Sequence, residues 1–340
     1  MSSASNVVNA NGAPDALKRN SSSRGDATKA CSKVDEENSE LEGGVKGSNA
    51  QNGVTNDTHG EDIPSAENKP MEKENSSRSN EDALFHIKDG LTQLEKTLSG
   101  DGYAFSNLTC KNKNLKYIPK ELEKYKHLKY INMSHNKIED IDKLYSLRNV
   151  VFLDMSNNMI RTIKKLESNC LKNCVYMNLS HNLIKKVEDI KMQNLIELDL
   201  SHNNIESINI SLSSSVKKLN LSNNNIKTLA VKNQLANLES IDLSSNPIEN
   251  IEFSEIAPNI KYLKINNNST MPMSQLSNLN NFKALHHLYM DNYLHFKDIS
   301  YKEIKQILEA NTKDIDLQKF NGNRIDRQGA AGLTRKKPSQ

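Results

Sequence analysis

Between residues 105 and 295 the apolar positions return again and again in one frame, with polar residues between them. The stretch LKYINMSHNKI (128–138) aligns with VVFLDMSNNMI (150–160), CVYMNLSHNLI (174–184), LIELDLSHNNI (195–205), VKKLNLSNNNI (216–226), LESIDLSSNPI (238–248) and IKYLKINNNST (260–270). Two weaker copies, FSNLTCKNKNL (105–115) and LHHLYMDNYLH (285–295), flank them. Positions one, four and six are apolar, and so is position eleven except at Thr270 and His295. A further apolar column stands at position fourteen: Ile118, Ile141, Ile163, Val187, Ile208, Leu229, Ile251 and Met273. Position nine is Asn136, Asn158, Asn182, Asn203, Asn224, Asn246 and Asn268, at spacings of 21 to 24 residues. Alternation across positions three to seven predicts a short strand, with four and six on its inner face. One such unit cannot bury its apolar side alone, but stacked units give each other a continuous core.

The frame L-x-x-L-x-L-x-x-N-x-I is the leucine-rich-repeat signature. It predicts an α/β solenoid: a leucine-rich-repeat horseshoe of about nine repeats, with a parallel sheet on the concave side and short helical or 3₁₀ pieces on the convex side. The position-nine amides fall at the strand ends, where they are expected to satisfy turn backbone groups otherwise left without partners. Both ends should be capped. In EDALFHIKDGLTQLEKTLSG (81–100), Leu84, Ile87, Leu91, Leu94 and Leu98 form one helical stripe. Asn80 is placed to start this helix and Gly100 to end it. It spans under three heptads, which argues against a coiled coil. In YKEIKQILEANTKDIDLQKF (301–320) a helix is followed by a last strand turning Ile315 and Leu317 inward. The expected organisation is a disordered Ser/Asn/Glu-rich leader (1–80), an N-terminal capping helix (81–102), leucine-rich repeats (103–299), a C-terminal cap helix and strand (300–320), and a flexible basic tail (321–340).

Composition supports the leader. Residues 1–80 contain no aromatic side chain, and Leu, Ile and Val number eight there. So little apolar surface does not offset chain entropy. The leader carries 9 basic and 13 acidic residues against 36 and 29 in the remainder. Neither balance has the concentrated positive charge of a nucleic-acid domain. No apolar run approaches the ~20 residues of a membrane span, and the first residues lack the blocks of a signal peptide. With four cysteines and no metal-ligand spacing among them, reduced thiols in a cytoplasmic setting are expected.

Ser134 beside His135 suggests a nucleophile and its base. Serine, however, recurs at position seven in six successive copies (134, 156, 180, 201, 222, 244), and histidine at position eight in three (135, 181, 202). Nucleophilic catalysis needs one serine with one oriented base, and a ladder of equivalent serines is instead a strand-end feature. No phosphate-cradling glycine loop is present. The reading is non-enzymatic, with no catalytic residue, cofactor, metal or small-molecule substrate.

Positions three and five face solvent on the concave side, where a repeat array meets partners. Tyr130, Phe152 and Tyr176 stand side by side at position three, with Tyr262 further along. Adjacent exposed aromatics are a candidate interface core. Position five is mildly acidic through Asp154, Asp199 and Asp242, which argues against a nucleic-acid groove. These seven residues are the candidate partner-binding set. Residues 111–129 hold seven lysines, read as a solvated convex face.

The flanks carry a more specific likeness. HIKDGLTQLEKTLSGDGYAFSNLTCKNKNL (86–115), followed by HLKYINMSHNKIEDIDKLYSLRNVVFLDMSNNMI (127–160), resembles the start of the leucine-rich-repeat family of the axonemal radial spoke, the leucine-rich repeat-containing protein twenty-three family. A K-x-G-L-x-x-L-x-K-T helix before the first repeat matches Lys88, Gly90, Leu91, Leu94, Lys96 and Thr97. At the other end Asp291 and Asn292 precede Ser300 and Tyr301 as in that family. The chain departs from it in its Ser/Asn-rich leader and short basic tail. The resemblance implies a structural, radial-spoke-associated part of the ciliary or flagellar axoneme, in the cytoplasm and cytoskeleton, that binds other proteins and neither nucleic acid nor membrane. The alternatives are a regulatory subunit binding protein phosphatase type 1, which also uses repeats near 22 residues, or a generic cytosolic adaptor.

Overall fold

Strands of three residues follow from the repeat itself, because position seven already turns the chain. The protein was studied as a computed structural model, which describes residues 71–97 and 99–325. The strands, in chain order, are β1 (Leu91–Lys96), β2 (Tyr103–Thr109), β3 (Tyr130–Asn132), β4 (Phe152–Asp154), β5 (Tyr176–Asn178), β6 (Glu197–Asp199), β7 (Lys218–Asn220), β8 (Ser240–Asp242), β9 (Tyr262–Lys264), β10 (His287–Tyr289), β11 (Lys319–Phe320) and β12 (Asn323–Arg324). They form one 12-stranded sheet in sequence order. The nine copies supply β2 to β10, parallel and in register, so that like positions sit side by side: Leu108, Ile131, Leu153 and Met177 at position four, for example. The opposite side carries 3₁₀ turns such as Lys120–Lys124 and Asp142–Leu144, and a two-strand pairing of Thr162–Ile163 with Lys186–Val187.

The core runs the length of the solenoid. Positions one, four and six are buried throughout the central copies, as in Leu195, Leu198 and Leu200, each at most 1% exposed. A Leu side chain so buried contributes about 1.5–3 kcal/mol. Two amide ladders flank this core. Position-nine side chains join strand ends on one edge. On the other edge the residue before position one does the same: Asn149, Asn194, Asn237 and Asn259 donate to the carbonyls of Lys126, Lys172, Ser214 and Ala236 in the preceding repeat, at 2.7–3.0 Å.

The N-terminal cap differs from the helix expected over 81–102. Helix α1 spans Met71–Gly90. It therefore takes in residues 71–80 of the expected leader, and Asn80 lies inside it instead of capping it. Ala83 and Ile87 face the core. At its end, Gly90 lies tight against the first repeat and only glycine fits: a Cβ there would lie 2.4 Å from the Thr109 carbonyl oxygen and 2.9 Å from Cys110 Sγ. The chain then leaves as β1, antiparallel to β2, with Leu91 opposite Leu108 and Leu94 opposite Phe105. Gly100, at φ 76°, serves the β1–β2 turn and not a helix end. Leu94 is 60% exposed, so the expected stripe breaks after Leu91.

The C-terminal cap begins with helix α2 (Tyr301–Asn311), closed by a capping box in which Glu303 N–H donates to Ser300 Oγ and Ser300 N–H to the Glu303 carboxylate. Ile315 and Leu317 are buried, yet the strand is Lys319–Phe320, paired to β10. An Asn321-Gly322 turn with both φ positive then folds β12 back, the preferred chemistry for a two-residue hairpin. Residues 323–324 are thus a strand inside what the sequence suggested was tail. The expectations for residues 1–70 and 326–340, and for Leu98, lie outside the described residues.

Candidate protein-binding face

The Ser-His motif is resolved by backbone geometry. Position eight is left-handed in every copy, with φ of 57° at His135, 55° at Asn157, 53° at His181 and His202, and 55° at Asn223. Non-glycine residues tolerate this region poorly, and Asn, Asp and His are enriched in it. Ser134 is buried and donates its hydroxyl proton to Asn132 Oδ1 at 2.7 Å, while His135 points to solvent. The serine's proton therefore goes to an amide, not to an imidazole. Neighbouring position-eight rings pack on one another, as His181 on His202 with 4.0 Å between centroids. Burial first, and then the facing His202, hold the His181 imidazole below its ordinary value.

The position-nine amides sew adjacent repeats together. Asn182 Oδ1 accepts the Ile160 N–H at 3.1 Å, and its Nδ2 donates to the Met155, Leu179 and Ser180 carbonyls. Asn158, Asn203, Asn224 and Asn246 repeat this pattern one rung along. Asn136 accepts the N–H groups of Lys113 and Leu115 from the first repeat. Asn268 departs: it accepts from Thr270 and Met271 of its own turn and donates to Asn246 and Ile248.

Position five does double duty. Asp154 Oδ1 accepts Ser156 N–H at 3.0 Å, Asp199 Oδ1 accepts Ser201 N–H at 2.9 Å, and Asp242 Oδ1 accepts Ser244 N–H at 3.0 Å. Asn132, Asn178 and Asn220 make the same bond in the alternate copies. These are Asx turns, so the Asp/Asn choice leaves the turn intact and alters only the charge displayed.

On the concave side the aromatic residues come together. Phe152 and Tyr176 stack face to face, centroids 4.7 Å apart and planes within 3°. Tyr130, 45% exposed, stands opposite Phe152 in the next strand. The β1–β2 hairpin extends the strip, because Leu94, Tyr103 and Phe105 are all exposed and Leu94 faces Phe105 in register. Sequence reasoning missed these three residues. The signal was the alternation Tyr103-x-Phe105-x-Asn107, which runs into position three of the first copy. Small Asn107 among larger neighbours leaves a hollow of about 400 Å³, lined by Gln93, Asn107, Tyr130, Ile131, Asn132 and Phe152.

Asp154 and Asp199 lie beside the stack, but Asp242 and Tyr262 do not belong to this group. Asp242 pairs with Lys264 at 3.6 Å. Tyr262 is four strands from Tyr176, about 19 Å, and stacks instead on His287 at 4.5 Å. The face is therefore divided. Its β2–β6 part is aromatic and acidic; its β9–β11 part carries Lys264, His287 and Lys319. The thiols take no part in it: burial pushes Cys110 up to about 11 and Cys174 up to about 12, so both stay protonated inside. Among the described residues, no group of three His, Cys, Asp or Glu is placed to hold a metal ion, and no helix is long and apolar enough to cross a membrane.

Family models agree with this architecture. One described as Leucine Rich repeats (2 copies) matches residues 126–168 and 214–255, and one described as Leucine Rich repeat matches residues 191–207. Among curated proteins the chain is similar to leucine-rich repeat-containing protein 23 of Bos taurus, 33% identical over 78 residues. That alignment takes in 23% of this chain and 22% of the relative, so the chain matches about a fifth of the relative's length. Among solved structures it is similar to an internalin, inlF, of Listeria monocytogenes, at 17% identity and TM-score 0.28, over 66% of this chain and 84% of that one. It is also similar to a TDR receptor, at 20% identity and TM-score 0.40, over 55% and 34%. The chain is a leucine-rich-repeat protein.

Proposed function

We propose that this chain is a non-enzymatic protein-binding scaffold, and that its working site is the aromatic strip of exposed Tyr130 and half-buried Phe152 and Tyr176 with its extension over the β1–β2 hairpin. The observation that carries the reading is that strip: a set of large apolar side chains on one sheet face, exposed at Leu94, Tyr103, Phe105 and Tyr130 and half-buried at Phe152 and Tyr176, where aromatic anchors dominate interface energies. The finer setting is the ciliary or flagellar axoneme, in association with radial spokes. It rests on the flanking motifs around Lys88–Thr97 and Asp291–Tyr301 and on the partial likeness to leucine-rich repeat-containing protein 23.

The test is localisation of the tagged full chain in a flagellated cell after detergent extraction. The wild type should stay with the axoneme. The triple variant Tyr130→Ala, Phe152→Ala, Tyr176→Ala should wash out while its circular dichroism spectrum is unchanged. A wild type that washes out removes the axonemal setting. A triple variant retained as well as the wild type removes the strip as the working site.

A further inference from the structure

The Phe152–Tyr176 stack is a ridge with a hollow on each side. One is the hollow over Asn107 described above, walled by apolar Tyr130, Ile131 and Phe152 and by polar Gln93, Asn107 and Asn132. The other lies beyond Tyr176 and includes Glu197, Asp199, Lys218, Asn220 and Asp242 in its lining. Its cations are already engaged: Lys218 pairs with Glu197 at 2.5 Å, and Lys264 with Asp242 at 3.6 Å. Asp199 has no cationic partner among the described residues. Its Oδ1 accepts both the Ser201 N–H and the Ser201 hydroxyl, and its Oδ2 accepts the Asn220 amide at 3.1 Å, which leaves one acceptor site, on Oδ2. Asp154, on the Phe152 strand, likewise accepts only a backbone N–H in the bonds found.

We propose that this second hollow receives an arginine side chain of a partner protein, its guanidinium against the half-buried Tyr176 ring and donating to Asp199 Oδ2, while an apolar side chain of the same segment fills the hollow over Asn107. The inference rests on the concave-face reading above and names the chemistry of its partner. Arginine fits better than lysine because a planar guanidinium stacks on a ring while one of its N–H groups still reaches the carboxylate. The field at the ring already has the matching sign: after burial, the charges of Asp199, Asp154 and Glu197 are what raise the Tyr176 hydroxyl above its ordinary value. The two hollows are about three strand spacings apart, roughly 15 Å. An extended segment bridges that with an apolar residue and an arginine about four positions apart, both on one face.

The charge can be removed without disturbing the fold, because asparagine already stands at position five in alternate copies (Asn132, Asn178, Asn220) and makes the same turn bond. A phage-displayed random peptide library is selected on the full chain, and its best peptide is synthesised and measured by calorimetry. The expected peptides carry arginine with an apolar residue nearby. The best of them should lose about tenfold in affinity, or about 1.4 kcal/mol, against Asp199→Asn, and a similar factor when its arginine is changed to lysine. Glu249→Gln, at a residue that lines neither hollow and is paired with Lys227, should bind the peptide as the wild type does. Peptides without arginine that still fail on Phe152→Ala overturn the arginine pocket and leave the aromatic strip standing. Peptides indifferent to both Phe152→Ala and Asp199→Asn, or no enrichment at all, overturn this inference together with the concave-face reading.

Discussion

Replacing Asn182 and Asn203 by alanine, singly and together, separates a ladder of independent rungs from one that shares its partners. In the single Asn182→Ala variant, the Ile160 N–H loses the only acceptor found for it, 3.1 Å away, and Ile160 is fully buried. In Asn203→Ala the Ile184 N–H is orphaned in the same way. A buried N–H left without a partner costs about 1–3 kcal/mol, and this sets the scale of each single loss. The carbonyls are more forgiving. The Leu179 oxygen receives both amides, from Asn182 and from Asn203, each at 3.0 Å. Either single variant leaves it one donor, and the double variant leaves it none. The double loss should therefore exceed the sum of the singles, by about 0.5–3 kcal/mol for directly coupled sites. Asn136 and Asn246 share no acceptor or donor, so their double variant should be additive within about 0.5 kcal/mol. The measurement is urea unfolding of the full chain by far-ultraviolet circular dichroism. Sulfate in the buffer raises all stabilities and keeps a folded baseline for the weakest variant. An m-value constant across the series is required. Single losses under about 0.5 kcal/mol, near the level of ordinary surface changes, would refute the role of position nine. Additivity of the Asn182–Asn203 pair would refute the shared carbonyl.

Other consequences are more local. Gly90→Ala forces a Cβ against the Thr109 carbonyl and should cost about 1–3 kcal/mol as overpacking, with faster proteolysis in the β1–β2 hairpin; Gly102→Ala, whose Cβ meets nothing within 4 Å, is the control and should cleave like the wild type. His135→Val places a β-branched residue at φ 57° and should lower thermal stability by about 1–2 kcal/mol, whereas His135→Gly should be near neutral; equal melting temperatures would show that the left-handed backbone is not what selects this column. The His181 imidazole is depressed in the fold, so below its ordinary value the unfolded chain binds the proton first, and stability present above about pH 6.5 is lost as pH falls through it. His181→Asn, which suits the same backbone region, should flatten that slope in urea melts between pH 7.5 and 5, and parallel slopes for variant and wild type would remove the effect.

How much of this was legible in the sequence depended on whether a signal was periodic or arose from a single contact. The repeat frame, the inward columns and the position-nine asparagines were readable because each was stated many times over, and one copy corrected the noise of another. The position-eight column was seen but assigned only to strand ends; its chemical reason, a left-handed φ at His135, Asn157 and their neighbours, is a backbone property that no side-chain pattern displays. The column of Asn149, Asn194, Asn237 and Asn259 is harder to see, because it is interrupted, by Ser215 for example, and lies outside the eleven-residue frame. The two caps occur once each, and there local rules met tertiary contacts and lost. Leu84, Ile87, Leu91, Leu94 and Leu98 satisfy helical spacing without a fault, yet helix α1 ends at Gly90 and the residues after it pair with β2 as a strand. The Asn321-Gly322 turn was visible in the sequence and was passed over, because the residues after it were judged by their basic composition. The same contrast bears on the binding face. Tyr130, Phe152 and Tyr176 were found as a column, but Leu94, Tyr103 and Phe105 reach the strip only because Gly90 ends a helix and sends the chain back along β2. A partner that reads the strip therefore reads the cap as well, and loosening the cap through Gly90 should weaken binding even though that residue touches no partner.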